Sequence, residues 1–193
     1  MKSLEERLNQ VIPKLTSQDF LSNKGLGNEI GFWIFDYPPE RELEVREFLD
    51  ECIIPALEKR QPALKVAHIN LFTFITGLLA ERNLLDKAIQ MQNLQGDDKA
   101  LESLRRVLKE DKLAEMIANS IDHQATNMLI LTGVGAAYPM LRTHTLLSAL
   151  HPHMMDTPLV MFYPGNYDGH SFKLFNKLSE DHYYRAFRLV PHD

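Results

Sequence analysis

Cysteine is almost absent from this 193-residue sequence, which contains only Cys52. A single cysteine excludes an intrachain disulfide and a cysteine-based zinc site. Apolar runs of the ~18–20 residues that cross a membrane are absent too, and the N-terminal residues lack the apolar segment of a signal peptide. These absences predict a cytoplasmic protein without membrane contact.

Excess positive charge is also lacking, because the formal net charge is -5. Broad nucleic-acid binding depends on Lys and Arg side chains that displace counterions from phosphates. Direct DNA binding is therefore not expected, although a local basic patch would be compatible with this composition. The apolar fraction of 45% and the charged fraction of 24% are those of an ordinary globular protein.

The motifs of common catalytic and cofactor sites are missing. The glycine loop Lys24–Gly27 does not match G-x-x-x-x-G-K-[ST], and no G-x-S-x-G elbow occurs. Eight histidines are present, but no two are spaced as a metal-binding pair on one helical turn. We therefore expect no catalytic residues, no cofactor and no metal. A hydrolase built around Asp168 and the histidines is a minor alternative.

Five apolar runs predict strands, near residues 31–37, 65–70, 128–132, 159–163 and 186–190. Helical patterns separate them, which predicts a single α/β domain over residues 1–193, with a five-stranded, mostly parallel sheet flanked by helices. Within it we expect an N-terminal helix at 1–16, a helical insertion at 83–121 and the C-terminal part of the sheet at 127–190. The order of elements is similar to a P-loop or Rossmann-like three-layer fold without a Walker A motif.

Two helices carry the sharpest local predictions. In the first, Ser3 and Glu6 fit a capping box, and Pro13 should end or kink the helix one residue earlier. In the second, over residues 39–60, Cys52 falls on the apolar face. It is therefore predicted to be a buried core thiol rather than a nucleophile.

The stretch from Asn127 to Gly169 has the order strand, loop, helix, strand that is typical of a parallel βαβ unit. Its helix is expected from about Pro139 to Leu150, and its second strand should end in a turn that begins at Pro164. Both loops would follow the carboxyl ends of parallel strands, where ligand sites of α/β proteins are usually found.

The glycine turn after the first of these strands is a candidate anion site. Its free N–H groups could hold a phosphate, and basic side chains on the following helix could add positive charge. The candidate residues are Thr132, Gly133, Gly135, Arg142 and His144. A tight structural turn accounts for the same glycines and is the preferred interpretation.

Other candidates concern interactions rather than chemistry. Asp168, after the fourth strand, is the acidic residue best placed at the sheet edge, although an ordinary turn aspartate explains it as well. The tail residues Tyr183, Tyr184 and Arg185 combine aromatic rings with a guanidinium group, which is typical of interfaces and also of cores. His68 lies inside a predicted strand, where a lone histidine is usually a core residue.

Four separated segments resemble the BrxB family of the bacteriophage exclusion (BREX) defence system: GFWIFDYPPERELEVREFL, LTGVGAAYPMLRTHTLLSAL, PLVMFYPGNYDGHSFKLF and HYYRAFRLVP. The resemblance extends from about residue 30 to the end, and the helical region 83–121 carries little of it. Because it rests on several motifs, it is more specific than any one of them.

The resemblance implies a bacterial cytoplasmic protein that works beside a methyltransferase, a large ATPase and a PglZ-type protein of the alkaline-phosphatase superfamily. The family has no established catalytic activity, and the PglZ-type protein is its expected direct contact. We therefore expect a non-enzymatic adaptor, and a degenerate nucleotide- or nucleic-acid-binding module is the alternative. A homodimer is left open, because the amphipathic helices could serve a core or a partner alike.

Overall fold

Seven strands form a mixed open sheet in the computed structural model, which describes residues 2–22, 31–60, 62–180 and 186–193. In chain order, the strands are β1 (Phe32–Tyr37), β2 (Val66–Asn70), β3 (Met128–Thr132), β4 (Leu159–Tyr167), β5 (Phe172–Leu174), β6 (Leu178–Glu180) and β7 (Phe187–Arg188).

Short helices connect these strands, and several of them follow one another without a strand between. The α-helices are α1 (Leu4–Leu8), α2 (Val11–Leu15), α3 (Gln18–Leu21), α4 (Glu42–Phe48), α5 (Ile54–Arg60), α6 (Leu71–Glu81), α7 (Leu85–Gln95), α8 (Asp97–Val107), α9 (Glu110–Asn119), α10 (Val134–Ala137) and α11 (Thr143–Leu150). A π-helix, Leu49–Ile53, joins α4 to α5, and short 3-10 turns occupy Pro39–Arg41 and His151–His153.

The sheet combines a parallel part with an antiparallel hairpin. Neighbouring strands in the order β2-β3-β4-β1-β7 are parallel, and β5 and β6 extend β4 as an antiparallel ladder. The expectation of a five-stranded, mostly parallel sheet is therefore wrong in strand number and in character. The α/β class with flanking helices is confirmed, whereas the similarity to a P-loop or Rossmann-like fold stays a prediction.

The extra strands arise where the sequence predicts a turn. β4 does not end at Tyr163 but continues to Tyr167, whose side chain is fully buried. Gly165 reads as a turn residue, yet a Cβ atom there would lie 2.2 Å from the carbonyl oxygen of Lys173 on β5. Glycine is needed at this position because the two backbones approach closely, not because the chain reverses.

Alternate strand residues supply two hydrophobic cores, one on each face of the sheet. On one face, Leu129, Leu131 and Met161 pack against side chains of α6, α9, α10 and α11. On the other face, Met128 and Ile130 pack against side chains from α1 to α5. Burial of alternate strand residues on both faces explains why the central strands are almost continuously apolar in sequence.

The N-terminal helix is divided in two at residues 9–10. The capping box of Ser3 and Glu6 is present, and the apolar side chains of Leu4, Leu8, Val11 and Leu15 are buried. However, the break falls between α1 and α2, before Pro13. Pro13 occupies the first turn of α2, where N–H groups have no helical acceptor, so its missing N–H costs little. The predicted interruption is present, but it lies at residues 9–10 rather than at Ile12, and the helix continues through Pro13. Asn9 is the residue whose carbonyl the ring of Pro13 would meet in a continuous helix.

The predicted burial of Cys52 is also wrong, because its side chain is exposed. The π-helix adds a residue to the turn, and the N–H of Ile54 bonds to the carbonyl of Leu49. This insertion rotates the face that packs on the sheet, so Ile53 and Leu57 are buried while Cys52 turns outward. Periodicity at 3.6 residues per turn could not anticipate the change.

The helix predicted from Pro139 is shorter than expected and begins at Thr143. Tyr138 has an extended backbone (ψ 139°), as residues before proline usually do, and it follows the end of α10 directly. The last strand is shorter too, since only Phe187 and Arg188 pair with β1. The residues after it, Leu189 and Val190, are buried in the core.

A buried carboxylate ties the two ends of the chain to the sheet. Asp36 of β1 is fully buried, and its Oδ1 accepts hydrogen bonds from Arg7 at 2.8 Å and lies 2.9 Å from Nε2 of His192. Arg7 also donates to the carbonyl oxygens of Asp36 and Val190, and Oδ2 of Asp36 accepts from the N–H of Tyr167. This set is called the Asp36 cluster below.

Candidate functional site

An open crevice of about 50 Å³ lies at the carboxyl ends of β1, β2 and β3 and is covered by α4. The strands contribute Tyr37, His68, Asn70, Thr132 and Phe162, the loop after β3 contributes Gly133, and the covering helices contribute Glu42, Val45, Arg46, Leu49 and Asp50. Because it follows the ends of parallel strands, it occupies the usual place of ligand sites in α/β sheets. Its volume suits a few water molecules or one side chain.

His68 and Thr132 meet across the β2–β3 pair. Nε2 of His68 lies 2.9 Å from Oγ1 of Thr132, and the His68 side chain remains exposed. Partial desolvation by the protein lowers the pKa of His68, and the negative charge of Asp50 opposes this shift. The lowered pKa favours the neutral imidazole, whose Nε2 shares a hydrogen bond with the Thr132 hydroxyl.

Tyr37, Glu42 and Arg46 form a chain of polar contacts on the other wall. The hydroxyl of Tyr37 donates to Glu42, and Arg46 lies 3.8 Å from the same carboxylate. Burial raises the pKa of Tyr37 strongly, and the charge of Glu42 raises it further. Tyr37 is thus a permanent hydrogen-bond donor, and Glu42 already has two partners within the protein.

The glycine turn owes its shape to packing against the neighbouring strand. Gly133 has a φ of +72°, and a Cβ atom there would lie 2.3 Å from Oδ1 of Asn70. The same Oδ1 atom accepts a hydrogen bond from the N–H of Thr73 and so caps α6. Gly135 lies against Phe175 and Pro164, where a Cβ atom would be 2.9 and 3.0 Å from their side chains. Both glycines are therefore accounted for by close contacts inside the protein.

The structure does not bring the five predicted anion-site residues together. Thr132 and Gly133 line the crevice, whereas Gly135 packs against the β4–β5 hairpin. Arg142 is exposed at the start of α11, and His144 is buried on that helix. Neither of them lines the crevice.

Asp168 holds the turn between β4 and β5. Its Oδ1 accepts hydrogen bonds from the N–H groups of His170 and Ser171 at 2.8 and 2.7 Å, and its Oδ2 accepts from the Ser171 hydroxyl. These bonds lower the pKa of Asp168. The other interaction candidates, Tyr183, Tyr184 and Arg185, lie outside the described residues.

Several polar residues of the fold were not singled out from the sequence. Asp36 lies within the strand predicted at 31–37, and a lone acid in such an apolar aromatic run is a signal of a buried ion pair. Asn70 and Glu42 line the crevice through loop and helix geometry that carries no sequence signature. Over the described ranges, no cluster of three metal-ligating side chains is found. Among those residues, no helix has the length and apolar character to span a membrane.

Comparison with known proteins identifies relatives for almost the whole chain. A sequence model of the family described as BREX protein BrxB matches residues 67–189, and this range includes the helices between β2 and β3. A BREX protein BrxB from Escherichia coli O9:H4 (strain HS) is 44% identical over 188 residues, which are 97% of this chain and 92% of the relative. A second, from Bacillus cereus (strain H3081.97), is 39% identical over 194 residues, covering 98% of this chain and 99% of the relative.

No solved structure matches this chain. Both relatives carry the same description, and each aligns along nearly its entire length with this protein. From the family match and these two alignments, the chain belongs to the BrxB family of the BREX phage-defence system.

Proposed function

We propose that this protein is a non-enzymatic adaptor of a BREX anti-phage system and binds another defence protein. The PglZ-type protein is the preferred candidate for this partner. The observation that carries the proposal is the full-length similarity to two proteins described as BREX protein BrxB. A chain that aligns end to end with such components is expected to perform the same task within the system. The large ATPase and the methyltransferase are the other candidate partners.

The geometry of the crevice gives little support to catalysis or to small-molecule binding there. Its acidic Glu42 is already engaged by Tyr37 and Arg46. Its volume of about 50 Å³ is well below the ~300–1,000 Å³ of typical small-molecule sites. A nucleotide-binding role has less support, because Arg142 and His144 lie away from the glycine turn that would hold the phosphates.

Helix α7 offers apolar surface for a protein contact. None of its side chains is buried, and Ile89 and Leu94 are 48% and 82% exposed. Ile89 and Leu94 are five residues apart and therefore lie about 140° apart around the helix, so they do not form one apolar stripe. Each offers exposed apolar area that a partner could bury.

Co-purification tests the proposal. The tagged protein is expressed with its neighbouring defence genes, and the proteins that elute with it at moderate salt are identified. We expect a stoichiometric complex with the PglZ-type protein, and we expect the double variant Ile89→Asp/Leu94→Asp to lose it. The matched control Asn93→Asp adds the same side chain at an exposed position of the same helix.

Two results would contradict the adaptor role. One is a protein that elutes without any co-encoded component at low and moderate salt. The other is a purified protein that turns over a substrate, with activity lost in His68→Gln or Thr132→Val. Thermal stabilisation by millimolar ATP or GTP would instead support nucleotide binding.

A further inference from the structure

The outer face of α8 forms a shallow groove that other parts of the described chain leave uncovered. It is lined by Asp98, Leu101, Glu102, Arg105, Arg106 and Lys109, which belong to α8 and the two residues after it. Five of these six side chains are charged, and those five are exposed. The groove is thus a polar surface open to solvent on a helix outside the central sheet.

Charges on this face follow an ordered pattern. Asp98, Glu102 and Arg105 are spaced by four and three residues, so they form one stripe along the helix. Lys109, two residues beyond the end of α8, extends the stripe and lines the same groove. The stripe therefore reads acid, acid, base, base over roughly 16 Å of helix. We call it the α8 stripe.

We propose that the α8 stripe is a contact surface for a second copy of this chain, with the two α8 helices antiparallel. An antiparallel pair centred between Glu102 and Arg105 places Glu102 opposite Arg105 of the other copy. It also places Asp98 opposite Lys109 of that copy. A parallel pair would oppose like charges, so the pattern is complementary to itself in one orientation only.

Two-fold symmetry strengthens this complementarity. In an isologous contact each pairing occurs twice, so the two kinds of pair give four ion pairs between the copies. The acidic start and basic end of α8 also match the helix dipole, and antiparallel helices bring opposite dipole ends together. Charge pattern and helix direction therefore favour the same arrangement.

Contacts within one copy leave the outer charges of the stripe available. Asp98 and Lys109 form no ion pair with the rest of the described chain. Arg105 donates from Nε and Nη2 to the carbonyl oxygen of Pro139, at 3.1 and 2.9 Å, and retains further N–H donors. This anchoring fixes the guanidinium group and reduces the entropy lost when it pairs with a carboxylate.

The inner acid already has a partner in its own helix. Glu102 pairs with Arg106 at a position where both side chains are exposed. Arg105 of the other copy would therefore be a second cation beside Glu102, which already pairs with Arg106. Since the groove contains one apolar side chain, Leu101, the contact is small and polar, and we expect a dissociation constant of about 10–100 μM.

Charge reversal tests the proposed pairing. The mass of the purified full chain is measured by sedimentation equilibrium across the concentration range around the expected dissociation constant. We expect a concentration-dependent dimer of the 22.2 kDa chain. Asp98→Lys or Lys109→Glu alone places like charges opposite each other twice and should weaken the dimer at least about ten-fold. The double variant Asp98→Lys/Lys109→Glu restores opposite charges and should restore the dimer.

Matched controls separate the pairing from a general charge effect. Lys99→Glu reverses an exposed charge on the same helix but outside the groove, and should leave the dimer unchanged. Raising the salt concentration from about 0.05 M to about 0.5 M should weaken the dimers of the wild type and of Lys99→Glu to the same extent.

Three outcomes would overturn the inference. They are a wild-type chain that stays monomeric across the range, single reversals that dimerise as the wild type does, and a double variant that does not recover. Circular dichroism of each variant establishes that α8 is still formed. Co-purification with other defence proteins is measured separately, so a failed dimer leaves the adaptor proposal standing.

Discussion

Two polar clusters start from adjacent residues of β1 and differ in their contact with water. The Asp36 cluster is closed, since Asp36 is fully buried and Arg7 is 3% exposed. The crevice, which begins at Tyr37, is open, and its Arg46 and His68 are exposed. Both contain carboxylates facing basic side chains, so burial rather than residue type decides which one stabilises the fold.

The largest expected effect comes from breaking the closed cluster. Arg7→Met removes the main partner of a carboxylate that water cannot reach. We expect a loss of about 3–5 kcal/mol in the free energy of unfolding, because an unpaired buried charge remains. Urea unfolding followed by circular dichroism measures it. Nη2 of Arg188 lies 3.9 Å from Oδ2 of Asp36. A loss below about 1 kcal/mol would mean that His192 and Arg188 compensate the charge of Asp36 without Arg7.

A smaller effect is expected at the backbone of the crevice. Gly133→Ala places a Cβ atom against Asn70 at a residue with positive φ, so we expect a loss of about 1–3 kcal/mol in stability. Gly77→Ala is the matched control, since the methyl group added in α6 would meet no atom within 4 Å apart from the neighbouring backbone of its own helix. The control should be neutral or up to about 1 kcal/mol more stable, because alanine favours helix. Equal effects in both variants would remove the structural account of Gly133.

The pH dependence of stability sharpens the contrast at His68. Its folded-state pKa is lowered, so the unfolded chain binds the proton more readily. The contribution of His68 is fully present above the unfolded pKa of about 6.5 and is lost as pH falls towards the folded pKa. The difference in the free energy of unfolding between the wild type and His68→Gln should therefore change as the pH passes between these two pKa values.

NMR titration measures the pKa of His68 directly. Asp50→Asn should lower it further, because the negative charge that opposes the shift is removed. A native pKa at or above 6.5 would show that the imidazole is not desolvated in solution. The effect on stability should be smaller than for Gly133→Ala, since the ring stays accessible to water.

The smallest effect is expected for the open ion pair. Arg46→Gln removes a side chain that lies 3.8 Å from Glu42 and is 49% exposed. We expect a change of at most about 0.5 kcal/mol, because exposed pairs on a helix contribute little. Urea unfolding of Arg46→Gln, measured in parallel with Arg7→Met, checks this. A loss as large as that of Arg7→Met would mean that the crevice is as closed as the Asp36 cluster.

Apolar periodicity predicted most of the fold in outline. The strands predicted at 31–37, 65–70 and 128–132 agree with the structure to within about one residue, since each carries an uninterrupted apolar pattern. The extension of β4 beyond Tyr163 was not predicted, because Gly165 is needed for the close approach of the Lys173 backbone. A sequence does not show which backbone will approach a glycine. The prediction that Cys52 is buried was wrong because the π-helix locally changes the number of residues per helical turn.

The candidate site was predicted less well than the fold. Thr132 and Gly133 were found because they follow a strand, and they do line the crevice. Arg142 and His144 were associated with them through sequence distance, but the turn after α10 separates them from that edge. His68, Asn70 and Thr132 meet because β2 and β3 are neighbours, a pairing that no local pattern encodes.

The π turn has a practical consequence for experiments in solution. It places the sole cysteine of the chain, Cys52, on the surface, two residues after Asp50 of the crevice. A maleimide dye would therefore attach at one position without removal of any other thiol. Its emission would report on whatever approaches the covering helix, so the binding of a defence protein could be followed in real time with the native sequence.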